Sequence, residues 1–195
     1  MDIGERFNKQ SRTVKTKDLL HVYNKHNTLL TLCVKAKERA IADKTGKYLR
    51  ELGLDILGKK KKQREGTIKD YFDGVQKDLE DNTILNLVAT FEKLIFNNIP
   101  EAINNSKEIL NTHYSNQAPF SSSIKSFVKN TQDINAVSAI QGILSGHIST
   151  SLGNTLKEII DYRNRIAHGK RFGKESRITI SETLEMLDEV LEVVG

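Results

Sequence analysis

From Leu152 onward the chain repeats its apolar residues at helical spacing: Leu152, Leu156, Ile159, Ile160, Ile166 and Ala167. At 3.6 residues per turn they make one stripe, so this stretch gains stability only as a helix laid against other apolar surface. One residue breaks the stripe. Arg163 falls in its middle, and a guanidinium cannot lose its proton to escape burial. It requires a carboxylate, a phosphate or a wet pocket beside it. Asn164 and His168 lie four apart on one flank, and Gly169 supplies a C-terminal stop.

The same period governs the rest of the chain. A helix is predicted from Thr16 to Lys44, with Leu19, Tyr23, His26, Leu30 and Cys33 on its apolar face and Val22 and Leu29 beside it. Further helices are predicted over 67–79, over 82–97 with Asn82 as cap, and from Pro100 to Tyr114. Ile84, Leu87, Val88, Phe91, Leu94 and Ile95 face the core in the second of these. After a loop at 115–120, short helices are expected at 121–130 and 133–145, with Gly146 and Gly153 bracketing the turn into Leu152–His168. Arg177–Ile180 reads as extended. Ser181 then caps a last helix whose stripe is Leu184, Leu187, Leu191 and Val194. With two prolines and little strand-like alternation, the fold class is all-α. We expect a single domain over 1–195, an antiparallel helical bundle with an N-terminal helical extension. Residues 1–15 are expected as a flexible arm. Residues 45–66, with four glycines and a lysine run, are expected as a basic loop containing a short helix from Lys47 to Ile56.

Composition excludes more than it identifies. A net charge of +5 and a pI near 9.2 favour an anionic partner only weakly. The single cysteine, Cys33, rules out an internal disulfide and a cysteine-based zinc finger, and its apolar helical face points to a buried thiol. No apolar run is long enough to span a membrane, and the first 17 residues lack an apolar signal core, so a cytoplasmic protein is expected. A glycine-rich phosphate loop, a His-Glu-x-x-His helix and a Gly-x-Ser-x-Gly elbow are all missing, which leaves no cofactor and no metal to be expected. His26 shares no ligand spacing with another His, Cys or acid and reads as a core histidine. The run Lys59-Lys60-Lys61-Lys62-Gln63-Arg64 has two readings, a solvated loop or a contact to a phosphate backbone. Glu92, at the edge of an apolar face, is the acid best placed to meet Arg163; the alternative is an exposed glutamate.

What remains is Arg163-Asn164-Arg165-Ile166-Ala167-His168-Gly169. This stretch resembles the signature of HEPN domains, all-α bundles with an arginine, four to six residues, then a histidine on a late helix, and often asparagine after the arginine. The helix containing Thr90-Phe91-Glu92 and the helix order over 67–195 are most similar to the RiboL-PSP group. The resemblance implies metal-independent RNA cleavage at a composite site between two copies of the chain, in a toxin or an anti-phage defence effector held in check by an antitoxin or partner protein. It also implies an alternative, a non-catalytic module that binds RNA, a nucleotide or a protein. Residue chemistry fits the first role. The imidazole of His168 can take the proton of a ribose 2′-OH or give one to a leaving oxygen. Arg163 can grip the scissile phosphate. Asn164 can orient the imidazole or a phosphate oxygen. Arg165, Lys170, Arg171 and Lys174 would supply backbone contacts. On an ideal helix Arg163 and His168 point roughly 140° apart, so one straight helix cannot close both on one small group.

Overall fold

Four of the seven residues that separate one buried contact from the next on the first helix make a full turn and the other three nearly another. In the computed structural model α1 (Lys17–Ala42) buries Leu19, His26, Cys33 and Ala40, each seven positions after the last. A seven-residue repeat keeps one narrow seam turned toward a single long partner. That partner is α3 (Lys61–Tyr114), 54 residues long. The two run antiparallel: His26 meets Thr83, Lys37 meets Asp73, and the end of α1 at Asp43 meets Arg64. The structure describes residues 14–54, 60–114, 148–169 and 178–194.

Two cores divide the length of this pair. The larger joins Leu19 of α1, Ile84 through Ile95 of α3, Leu152 through Ile160 of α4 (Thr150–Ala167), and Leu184, Leu187 and Val190 of α5 (Ile180–Val194). Phe91, Leu87 and Leu156 are almost completely buried there, and each such side chain stabilises the fold by about 1.5–3 kcal/mol. The smaller core lies at the far end, where Cys33 and Ala40 of α1 and Ile68 and Phe72 of α3 close over Leu49 of α2 (Lys47–Glu51). The molecule is thus a helical bundle from which α1 and the start of α3 extend as a two-helix arm, with α2 folded across its tip. No strand occurs among the described residues.

Polar contacts fix the ends. Thr16, the first cap, offers no side-chain bond of its own. Instead the fully buried carboxylate of Asp188, on α5, accepts from the backbone N–H of Thr16 at 2.8 Å and of Lys15 at 3.1 Å. A helix start is thereby held by a residue far away in sequence. Asp43 terminates α1 and accepts from Thr45, Gly46 and Leu49, while the guanidinium of Arg64 donates to its carbonyl. Desolvation raises the Asp43 pKa, but these hydrogen bonds outweigh it and bring it down to about 2.

Several expected boundaries shift. The breaks read near Gly66, Asn82 and Pro100 do not occur, because α3 is one helix through all three. Asp81 and Thr83 look like turn residues, but they are buried with partners from other elements: Tyr162 donates to Asp81 at 2.9 Å and His26 pairs with Thr83 at 2.9 Å. The lysine run is a loop only in part, since Lys61 onward is helical. The short helix after Gly46 stops at Glu51 rather than Ile56. Gly153 lies inside α4, whose cap is Ser149, accepting from Leu152 N–H at 3.2 Å. The last helix is capped not by Ser181 but by Thr179, through a reciprocal box. Thr179 Oγ1 accepts from Glu182 N–H at 3.2 Å, and the Glu182 carboxylate accepts from Thr179 N–H at 2.7 Å. Leu29, expected beside the apolar face of α1, is exposed. Of the arm expected at 1–15, Val14 packs against the larger core and Lys15 is held by Asp188, while residues 1–13, the loop at 115–120 and the helices at 121–130 and 133–145 lie outside the described residues.

Candidate functional site

Alpha-four lies on the bundle by Leu152, Leu156, Ile159 and Ile160, all buried. Two residues further on, Tyr162 and Arg163 reach α3 in opposite directions. Tyr162 donates its hydroxyl to Asp81, and Arg163 Nη2 donates to Glu92 Oε2 at 3.0 Å. Eleven positions of α3 separate those two acids, so the pair of contacts sets the position of this turn of α4 along α3. The charge inside the apolar stripe thus has its counter-charge within the same chain. Arg163 Nη1 also donates to Asn164 Oδ1 at 2.9 Å. A guanidinium carries five N–H donors, and these contacts use two.

Burial grades along the site. The Arg163 side chain is 30 % exposed and Glu92 14 %. Glu92 Oε1 is buried with no hydrogen-bond partner among the described residues. His168, in contrast, is exposed and is the C-cap residue just past Ala167, with its N–H donating to the Asn164 carbonyl oxygen at 3.0 Å. Gly169 follows at φ +68°, the left-handed conformation that lets the chain leave the helix there, and its N–H donates to the Ile166 carbonyl oxygen. The result is a cation held fast on the bundle, an amide attached to it, and an imidazole displayed at the helix end.

Asn164 therefore acts on Arg163 rather than on His168 in a single chain, since its side-chain oxygen is taken by the guanidinium. Its amide N–H groups remain as donors for a ligand. Arg165 is half-buried and has contacts of its own. Lys170, Arg171 and Lys174 lie outside the described residues. Tyr162 and Asp81 went unassigned from the sequence. The tyrosine's place directly before Arg163 was the one signal available; Asp81 had none, because its partner is 81 positions away.

A cavity lined by Tyr162 of this turn does not serve the motif. It measures about 420 Å³ and lies between α3, α4 and the start of α5, lined in part by Asp73, Glu80, Asp81 and Tyr162, with one lysine, Lys77. Its carboxylates repel a phosphodiester, and none of Arg163, Asn164 and His168 lines it. No group of metal-ligating side chains occurs among the described residues, and no described helix is long and apolar enough to cross a membrane. His26 is a core residue. Thr83 Oγ1 gives its proton to the Leu79 carbonyl at 2.7 Å and so accepts from His26 Nδ1–H. Burial lowers the His26 pKa, with Glu80 acting the other way. Burial likewise pushes the Cys33 thiol up, with Lys37 opposing.

An all-α bundle with arginine and histidine on a late helix is the architecture of a HEPN module. Residues 15–195 match the family described as RiboL-PSP-HEPN, and the chain belongs to that family. Comparisons with curated proteins and with solved structures returned no match.

Proposed function

We propose that the protein is a metal-independent endoribonuclease whose site is completed by a second copy of the chain. The observation that supports this most is the state of the motif. Arg163 is held by Glu92 and Asn164 while His168 stands exposed at the helix end, which positions a cation and presents an imidazole. Membership of the HEPN family, which includes ribonucleases, supports this reading. Two copies of α4 facing each other across a two-fold axis would bring two arginines and two histidines to one cleft.

The reaction follows from these groups. One His168 takes the proton from the 2′-OH, the 2′-oxygen attacks phosphorus, and the bond to the 5′-oxygen breaks as the other His168 returns a proton to it. The products are a 2′,3′-cyclic phosphate and a free 5′-OH, with no water consumed. The Arg163 side chains offset the charge on the phosphoryl oxygens. Requirement for a 2′-OH restricts the substrate to RNA. Restraint by an antitoxin or other protein, and a role as a toxin or anti-phage effector, accompany this reading.

A second reading is a non-catalytic module that binds RNA, a nucleotide or a protein. It is favoured by one observation, that the Arg163 charge is already matched by Glu92. Labelled RNA incubated in EDTA separates the two. Cleavage by the wild type, lost in His168→Ala and Arg163→Ala variants that still dimerise, supports the enzyme. RNA binding equal in all three with no cleavage supports the module. A protein that is monomeric at micromolar concentration yet cleaves would refute the composite site.

A further inference from the structure

The positive charge of this protein is not spread over its surface. Residues 35–70 contain twelve lysines and arginines against six aspartates and glutamates, a surplus of six, whereas the whole chain carries +5. Everything outside this stretch is close to neutral. In the sequence the stretch spans the end of one helix, a linker and the start of another. In the fold these come together. Leu49 of α2 packs on Ile68 and Phe72 of α3, Arg39 of α1 stacks on the Tyr48 ring at 4.5 Å from its centre, and Arg64 caps the end of α1. All three elements therefore meet at the tip of the two-helix arm.

Two of the tip cations are committed to the fold, Arg39 to Tyr48 and Arg64 to the Asp43 carbonyl. Of the acids, Asp43 is turned inward on Thr45, Gly46 and Leu49. Lys44, Lys47, Arg50, Lys60 and Lys62 are exposed. They come from the turn between α1 and α2, from α2 and from the start of α3, brought together over the smaller core, which is how a surface that tracks a phosphate backbone is built. An acidic protein would also be attracted, but among the described residues of 35–70 one large apolar side chain, Ile41, is exposed against these five cations, and protein interfaces draw most of their affinity from clustered apolar anchors.

We propose that the arm tip is a second RNA-docking surface, holding the part of a strand that lies away from the Arg163–His168 motif. This rests on the ribonuclease reading for the identity of the anion. Arg64 and Glu92 lie 28 positions apart on one continuous helix, or about 42 Å at the rise of an α-helix. A stacked strand at roughly 3.4 Å per nucleotide needs about twelve nucleotides to cover that span. Short RNAs occupy one surface at a time; longer ones engage both.

The test uses 2′-O-methyl RNA, which lacks the attacking hydroxyl, in a series from 6 to 30 nucleotides. Fluorescence anisotropy is read on the full chain and on a five-site variant carrying Lys44→Ser, Lys47→Ser, Arg50→Ser, Lys60→Ser and Lys62→Ser. The wild type is expected to gain at least tenfold in affinity as length passes about twelve nucleotides, and the variant to lose that gain. The slope of log affinity against log salt for the 30-mer should fall by roughly 2–3 in the variant, at about 0.7 per phosphate contact. Melting temperatures of the two proteins, expected to agree, show that the fold is kept. An unchanged length profile, or equal weakening at every length, overturns the proposal. Displacement of the 30-mer by poly-glutamate at molar parity overturns it too, in favour of an acidic protein. The nuclease reading is scored separately on unmodified RNA in EDTA. No cleavage together with a lost length gain sinks that reading and keeps the surface; cleavage with an unchanged profile does the reverse.

Discussion

Consider the Arg163–Glu92 pair under removal of each partner. Their contact is 3.0 Å, and the side chains are 30 % and 14 % exposed. Fully exposed ion pairs contribute about 0–1 kcal/mol, and breaking a fully buried one costs about 3–5 kcal/mol. This pair lies between those cases, and the two sides are unequal. Removing the guanidinium in Arg163→Met leaves a mostly buried carboxylate whose Oε1 already lacks a hydrogen-bond partner among the described residues. That variant should lose about 2–4 kcal/mol. Glu92→Gln leaves an arginine that keeps Asn164 and some water, and should lose about 1–2 kcal/mol. The double variant leaves no buried charge and should be more stable than the sum of the singles requires, with a coupling of about 1–2 kcal/mol. Urea unfolding followed by far-UV circular dichroism reads all four proteins, with equal m-values as the check on two-state behaviour. Coupling below about 0.5 kcal/mol, or a larger loss for Glu92→Gln than for Arg163→Met, would refute the reasoning. The cycle also bears on catalysis. If the double variant folds well and cleaves nothing, loss of activity in Arg163 variants reflects missing chemistry and not an unfolded chain.

Three other perturbations have definite outcomes. Asp188→Ala strands the N–H groups of Lys15 and Thr16 at the start of α1 and should cost about 3 kcal/mol, lowering the melting temperature by roughly 6–12 °C; a drop under about 2 °C would mean that water replaces the carboxylate. His26 is held with a lowered pKa, so below its ordinary value of 6.5 the unfolded chain binds more protons than the folded one. Its contribution is full above that value and is lost as pH falls through the folded pKa, so wild type should lose stability between pH 7 and 5 faster than His26→Leu, and parallel pH profiles would contradict this. Gly74→Ala and Gly169→Ala should act in opposite directions. An added Cβ meets nothing within 4 Å at either site. The first, inside α3, should gain about 1 kcal/mol of helix propensity, whereas the second forces a φ of +68° on alanine and should lose about 1–2 kcal/mol, both read by thermal melting.

The helices themselves were legible from periodicity, because a 3.6-residue repeat is a local property and each stripe states which face must be covered. Arg163 was legible for the same reason: a charge in an apolar stripe stands out in one dimension. Glu92 could be picked from the sequence as an acid at the edge of a core face, and the structure places its carboxylate against Arg163. Interruptions were misread. Asp81-Asn82-Thr83 has the composition of a turn, and only the arrival of Tyr162 and His26 from other helices makes it helical.

What the sequence determined by itself is the fold class, the apolar faces, and a motif whose residue types suit phosphodiester chemistry. What only the tertiary structure decided is which distant groups complete which element. Asp188 holds the start of α1, whose cap residue lies 172 positions earlier, Arg64 closes the other end of the same helix, and the basic stretch becomes one surface because α1, α2 and α3 meet at the arm tip. The physical reason is common to all three. Helix formation is governed by neighbours within four residues, whereas capping, charge pairing and surface potential depend on distance in space, which the packing of the two cores sets.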